Sequence, residues 1–182
     1  MAKKPKTARK GSGAKTAAKK PKRRGIKAEV TSLTEKQALI GWREWLSLPA
    51  LGIERIKAKT DTGARTSALH AMNIAPFDHE GALWVTFEVA PHSGGVHDRA
   101  RIQCRAPVRD HRPVKSSSGH AQDRFVITTP VVLGEKHFEI ELTLTNRAEM
   151  GFEMLFGRTA LRAGRFLVHP SRSFLLSPRQ GR

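Results

Sequence analysis

Hydrophobic and polar residues alternate along most of the chain beyond residue 39, which is the pattern of half-buried β-strands. Leu83, Val85 and Phe87, for example, fall on one face of an extended segment. The alternation predicts strands at 40–46, 55–59, 66–72, 81–90, 99–108, 124–133, 137–146 and 166–168. Only the segment 159–163 has the character of a helix.

Glycine and proline residues separate these short strands and mark the turns between them. The strands at 124–133 and 137–146 are joined through Gly134 and Glu135, which predicts a hairpin. Many short alternating strands favour a mostly all-β fold, a closed or nearly closed barrel with one short C-terminal helix. We expect a single domain at 37–178.

The first 27 residues have a different composition, with twelve of the 33 Lys and Arg residues and none of the 16 acidic residues. The remainder holds 21 basic residues against those 16 acids. Such a segment cannot bury enough apolar surface to offset chain entropy, so residues 1–36 are predicted to be a disordered tail and link. It has no apolar run, so neither a secretory signal nor a membrane anchor is expected.

Mobile cations attract polyanions through counterion release. Two interpretations of residues 1–27 therefore stay open, a solubilising extension and a nucleic-acid-binding segment. The single cysteine, Cys104, excludes an internal disulfide and fits a reducing, cytoplasmic compartment. Its alternating surroundings predict a small half-buried strand residue rather than a catalytic thiol.

The most chemically informative stretch is the tight turn that begins at Asp61 and follows a predicted strand. Much later the chain carries an apolar-apolar-Gly segment that ends at Gly157. This is the layout of one half of an aspartic-protease site, in which two carboxylates share a proton. One such turn and no internal repeat mean that a site of this kind has to be built from two chains.

The neighbours of Asp61 have expected roles in this turn. The hydroxyl of Thr62 is expected to lock the turn, and Gly63 permits a close backbone approach that a Cβ would block. Ala64 has no hydroxyl to donate to the ionised carboxylate, so we expect a less acidic pH optimum.

The run 56–71 resembles a bacterial family of retropepsin-like aspartic endopeptidases, as do 41–45, 114–119, 142–147 and 154–158. Members are often called ATP-dependent zinc proteases and are associated with RimK-type ATP-grasp glutamate ligases. The resemblance covers nearly all of 39–176 and implies a closed retropepsin-like barrel, a homodimer and a peptide or protein substrate. It also makes a RimK-type ligase a candidate partner.

The resemblance implies that Asp61 is catalytic, that Thr62, Gly63 and Ala64 form the active-site turn, and that Gly157 and Arg158 support the site and dimer. One residue departs from the viral pattern, in which an acidic residue follows the turn and pairs with the later arginine. Arg65 stands there instead, so Arg158 needs another partner. Glu149, Glu153 and a partner chain are the candidates.

Neither zinc nor ATP has a recognisable motif in the chain, and we expect no metal and no cofactor. There is no Gly-x-x-x-x-Gly-Lys-[Ser/Thr] loop and no His-Glu-x-x-His sequence. The eight histidines are scattered, and Cys104, His111 and His120 lack familiar ligand spacing.

Two further elements have a functional and a structural interpretation. His70 either lines the cleft or is a satisfied, partly buried histidine. A polar loop either forms a flap that closes over a bound peptide or is an exposed hairpin loop; its residues are Ser116, Ser117, Ser118 and Gly119. Trp42, Trp45 and Trp84 are predicted to be core or interface anchors.

Three functions therefore remain open. The first is an aspartic endopeptidase in which Asp61 of two subunits activates water. The second is a non-catalytic retropepsin-like module that binds a peptide or a partner in ATP-grasp amino-acid ligation. The third is a polyanion-binding protein that acts through its basic tail.

Overall fold

The computed structural model describes residues 37–91, 100–115, 119, 121–146 and 151–177. The described part forms eleven strands: β1 (Ala38–Gly41), β2 (Arg43–Leu48), β3 (Ile53–Asp61), β4 (Ser67–His70), β5 (Met72–His79), β6 (Ala82–Val89), β7 (Ile102–Lys115), β8 (Ala121–Leu133), β9 (Lys136–Thr145), β10 (Met154–Gly157) and β11 (Phe166–His169). A 3-10 turn at Pro49–Leu51 and a short helix α1 at Arg158–Ala163 complete it. The predicted tail at 1–36 and the loop residues Ser116, Ser117 and Ser118 lie outside the described residues.

Six strands form a ring in the order β2, β3, β10, β4, β9, β8. The ring closes where Ser47 of β2 pairs with Val132 of β8. Strands β7, β6 and β5 extend the sheet beyond β8, and β1 pairs with β11 as a separate parallel ribbon. The predicted mostly β, barrel-like fold is confirmed, and closure rests on a single residue pair.

The alternation that predicted the strands is reproduced in their burial. Every second residue of β2 is buried, and Val85, Phe87 and Val89 of β6 point into the core. The core also holds Phe156, and burying a side chain of this size contributes roughly 1.5–3 kcal/mol. Leu83, expected on the same inner face, is 48% exposed because it lies at the outer end of the β5–β6 hairpin.

Several boundaries differ from the sequence prediction, and the strand predicted at 99–108 extends to Lys115 as β7. The segment 40–46 is divided at Trp42 into β1 and β2, which join different sheets. The segment 66–72 ends as β4 at His70, and the chain continues in β5, which was not predicted. Pro76 argues against a strand, but β5 lies at the edge of its sheet, where a proline is tolerated.

Candidate active site

Asp61 is the last residue of β3, and the sheet brings it beside a segment from the far end of the sequence. Strand β10 runs parallel to β3, with Gly157 directly opposite Asp61. On its other side β10 pairs antiparallel with β4. The structure therefore assembles the predicted site residues Asp61 and Gly157 from elements that the sequence separates widely.

The carboxylate of Asp61 closes its own turn. Its Oδ1 atom accepts hydrogen bonds from the backbone N–H groups of Gly63 and Ala64, both at 2.9 Å. An aspartate side chain that binds the backbone two and three residues ahead stabilises a tight turn. The side chain is only partly buried, so a held carboxylate remains accessible at the protein surface.

Two glycines allow the close packing of this site. A Cβ atom on Gly157 would lie 2.5 Å from the backbone carbonyl group of Thr66 and 2.9 Å from the nitrogen of Ser67. The Gly157 N–H instead donates to the buried Ser67 hydroxyl at 3.1 Å. A Cβ on Gly63 would lie 3.2 Å from Asp61 Oδ1, which gives the expected reason for a glycine in the turn.

Arg158 holds the turn through backbone carbonyl groups rather than through an acidic side chain. Its Nη1 donates to the carbonyl oxygens of Thr62 at 3.0 Å and Gly63 at 2.8 Å. Its backbone N–H donates to the Ala64 carbonyl, also at 3.0 Å. Arg158 therefore has hydrogen-bond acceptors even though Arg65 stands where the viral pattern has an acidic residue. Of the candidate acids, Glu153 is buried just before β10, and Glu149 lies outside the described residues.

Thr62 does not lock the turn inside one chain as expected. It is exposed, and its hydroxyl makes no hydrogen bond within the part of the chain that the structure describes. Thr60, which sequence reasoning missed, has that anchoring role one residue before Asp61. Its N–H and its hydroxyl donate to the carbonyl of Trp42 at 2.9 and 3.0 Å. The only sign of this anchoring role in the sequence was a threonine next to the turn.

His70 lies at the opposite end of β10 from Asp61. Its backbone N–H donates to the carbonyl of Glu153 at 2.7 Å, and it pairs with Thr145 of β9. Since Gly157 is the residue beside Asp61, the structure does not bring His70 next to the carboxylate.

The proposed flap corresponds to the end of the long β7–β8 hairpin. Its described pairing reaches Lys115 opposite Ala121, and the loop residue Gly119 is exposed with a φ of 85°. Ser116, Ser117 and Ser118 lie outside the described residues, so the flap stays a prediction.

Cys104 lies on a strand, as predicted, but it is a buried core residue rather than a half-buried one. Burial raises the pKa of its thiol to about 11, and the Sγ atom lies 3.4 Å from the Leu51 carbonyl oxygen, to which the thiol donates. His111 is exposed and stacks on Phe125 with ring centroids 4.5 Å apart. Among the described residues, no three His, Cys, Asp or Glu side chains are placed to hold a metal ion. In the same part of the chain no helix has the length and apolarity to cross a membrane.

A groove of about 610 Å³ adjoins the turn. Its lining includes Thr62, the three arginines Arg158, Arg162 and Arg165, and the apolar residues Leu161, Phe166, Leu167 and Val168. Thr62 therefore belongs both to the Asp61 turn and to the lining of this groove.

Comparison with known proteins gives a family and several relatives. The family model described as "RimB-like: Retropepsin-like aspartic endopeptidase RimB" matches residues 39–179. A "probable alpha-L-glutamate ligase" of Shewanella pealeana is 45% identical over 144 residues, which are 79% of this chain and 31% of the relative. One of Desulfotalea psychrophila with the same name is 48% identical over 133 residues, 73% of this chain and 28% of the relative. The chain thus spans less than a third of these relatives.

A similar solved structure is that of Lpg0085, a protein of unknown function from Legionella pneumophila. It is 27% identical to this chain, with a TM-score of 0.64, and the match covers 76% of this chain and 98% of that one. The similarity supports the strand arrangement described above.

Proposed function

Because the chain belongs to the RimB-like family of retropepsin-like aspartic endopeptidases, we propose that it hydrolyses peptide bonds as a homodimer with one Asp61 from each subunit. The geometry of Asp61 is the observation that carries this proposal. Two backbone N–H groups hold one carboxylate oxygen, and the side chain stays partly exposed on the turn. One carboxylate cannot act as base and acid at the same time, so a second chain has to supply the other.

In the proposed mechanism the two Asp61 carboxylates share one proton, because like charges this close do not both ionise. The ionised carboxylate removes a proton from water as the water oxygen attacks the peptide carbonyl carbon. The protonated carboxyl group donates to the carbonyl oxygen. As the tetrahedral intermediate collapses, the carboxyl group that holds the proton from water donates it to the leaving nitrogen. The other carboxylate takes back the proton of a diol hydroxyl as the C–N bond breaks, so the dyad again holds one proton.

Peptides that contain glutamate are the substrates we propose. The relatives are named as glutamate ligases, and the region similar to this chain is a minor part of each. Two exposed cations flank Asp61 here. Lys59 lies two residues earlier on the same face of β3, and Arg65 lies four residues later. Both can form charge-assisted contacts with carboxylates of a bound peptide. A RimK-type ligase fits as the partner that would make such a peptide.

The test compares Asp61→Asn with Asp78→Asn in cleavage of glutamate-rich and neutral peptides, followed by mass spectrometry from pH 4 to 8. Asp78 is a matched control because its Oδ1 also closes a turn, through Gly81 N–H at 3.2 Å. We expect Asp61→Asn to abolish cleavage while sedimentation still shows a dimer. Retained cleavage in Asp61→Asn would refute the proposed dyad.

A second candidate function is a non-catalytic module that binds peptides or a ligase. The names of the relatives favour it, since they refer to ligation rather than to hydrolysis. A wild-type dimer that binds glutamate peptides in calorimetry, yet cleaves none of them over the same pH range, would support this function.

A further inference from the structure

A cation–aromatic patch covers the outer face of β2 and β3 and, on β3, ends at Lys57, four residues before Asp61. Its members are partly exposed side chains that touch one another in a continuous belt. They are Trp42, Arg43, Trp45, Arg55, Lys57, Phe152 and Phe174.

One half of the patch is a stack of flat groups. The rings of Phe174 and Trp45 are nearly parallel, with centroids 5.9 Å apart and planes inclined by 15°. The Arg55 guanidinium lies 4.3 Å from the Trp45 ring centroid, and Arg43 lies 5.1 Å from Phe174. The stack therefore ends in planar cations.

The other half surrounds Trp42. Arg43 lies 4.5 Å from the Trp42 ring centroid, and Phe152 meets that ring edge-on at 5.8 Å. Lys57 joins the two halves, because its Nζ lies 5.7 Å from Trp45 and 5.5 Å from Phe152. Such contacts restrict long basic side chains and reduce the entropy that a ligand would have to remove.

Basic side chains face one another across β2 and β3 on this surface. Arg43 stands directly opposite the exposed Lys59 in the β2–β3 ladder, an arrangement that destabilises a sheet. Among the described residues, Arg43, Arg55, Lys57 and Lys59 have no ion pair. By contrast, Arg101 pairs with Glu88 and Arg109 with Glu141. An anionic ligand would relieve the repulsion on β2 and β3.

We propose that the cation–aromatic patch binds single-stranded nucleic acid, with RNA as the probe to use. Lys57 and Arg43 would contact phosphates, and a base would extend the Phe174–Trp45–Arg55 stack on the guanidinium plane. An acidic peptide supplies negative charge but no ring for this stack. The basic segment 1–27 precedes β1 and adds twelve cations to the same chain.

The first experiment measures binding of a labelled 12-nucleotide RNA to full-length protein across a salt series. The double variant Arg55→Ala/Lys57→Ala is compared with Arg101→Ala/Arg109→Ala, which removes the same charge from exposed, ion-paired sites. We expect roughly tenfold weaker binding in the first, and a salt slope that is shallower by about 0.7, since Lys57 is the phosphate contact that is lost and each single-strand contact contributes about 0.7. The control should stay within about twofold of wild type. Equal effects in both pairs would overturn the proposal.

The second experiment separates stacking from charge. RNA should quench the tryptophan fluorescence of wild type, and Arg55→Lys should lose most of this quenching while it keeps the salt slope. Thermal melting checks that each variant is folded. If a glutamate peptide of equal length displaces the RNA and quenches equally, the patch binds acidic peptides and the nucleic-acid assignment is wrong. Asp61→Asn should bind RNA like wild type, so the outcome is independent of the proposed hydrolysis.

Discussion

At the scale of single residues, Gly157 shows how the absence of a side chain positions the site. Backbone atoms of Thr66 and Ser67 occupy the space that its Cβ would need. Because Gly157 is also the residue opposite Asp61, any shift of β10 here would move the Asp61 turn. Packing density, rather than backbone conformation, is the reason for this glycine.

We predict that Gly157→Ala destabilises the fold by about 2–3 kcal/mol, the cost of an overpacked core position, and lowers the melting temperature by roughly 5 °C or more. The rate of peptide cleavage should fall by more than the loss of folded protein explains, because the Asp61 turn is displaced. Differential scanning calorimetry checks the first effect and peptide cleavage the second. Gly151→Ala is the control, since none of the described residues lies within 4 Å of a Cβ placed there. Equal melting of the two variants would contradict the prediction.

Cys104 gives a second prediction at this scale. Its raised pKa means that the folded protein holds the thiol proton more tightly than the unfolded chain does. The resulting stability is complete below the ordinary pKa of 9.0 and decreases as the pH rises from there towards 11. At pH 8 we therefore expect a thiol reagent to label Cys104 only after denaturant is added, with Cys104→Ala as the unlabelled control. Native labelling at the rate of free cysteine would contradict this.

At the scale of elements, a buried carboxylate joins the start of the barrel to the segment after β11. Glu44 of β2 is 1% exposed, and its two oxygens accept four hydrogen bonds. The donors are the backbone N–H groups of Gly41 at 2.7 Å, Leu175 at 2.7 Å and Ser177 at 3.1 Å, and the Ser177 hydroxyl at 2.6 Å. Gly41 and Trp42 in turn position Thr60, so this network reaches the strand that carries Asp61.

We predict that Glu44→Gln destabilises the protein by roughly 2–4 kcal/mol, because an amide nitrogen would face the donors of Ser177 and leave them unsatisfied. Urea unfolding measures the loss. Glu54→Gln, at an exposed position of β3, is the matched control and should change stability by less than about 0.5 kcal/mol. A similar midpoint for both variants would show that the network is not needed.

Sequence alone could predict those elements whose pattern reflects one buried face. The strand with Val85 and Phe87 and the hairpin through Gly134 are of this kind. The break at Trp42 could not be predicted, because the hydrogen-bond partners around it lie far along the chain. The Trp42 N–H donates to the Arg172 carbonyl, and Glu44 accepts from Leu175 and Ser177. Strand β5 was missed because Pro76 is acceptable only at a sheet edge, which a sequence does not reveal.

The residues of the candidate site also include some that the sequence could identify and some that it could not. Asp61, Gly63 and Gly157 were identified because a tight turn and a close approach require particular residue types. The acceptors of Arg158 were not, since backbone carbonyl oxygens leave no trace in the sequence. Thr60 and Ser67 were missed for the same reason, as their hydrogen bonds depend on strand register.

At the scale of the whole molecule, the proposed dyad makes activity a property of two chains. Added Asp61→Asn protein should therefore inhibit wild type once subunits exchange. When the two proteins are mixed in equal amounts, half of the wild-type subunits should enter mixed dimers that are inactive. About half of the original cleavage activity should therefore remain. Peptide cleavage after overnight mixing provides the measurement, with Asp78→Asn as the control that should not inhibit. Unchanged activity, with exchange confirmed by mass spectrometry, would contradict a shared site.

The parallel pairing of β3 with β10 also has a consequence for how the protein is made. Arg158 holds a turn that lies 96 residues earlier in the chain, and it adds to the local hydrogen bonds that Asp61 accepts there. During synthesis the Asp61 turn is produced long before the strand that completes it, and closing so long a loop is slow. A nascent chain therefore carries Asp61 before the site around it has formed. Any hydrolytic activity can appear only after β10 has been synthesised.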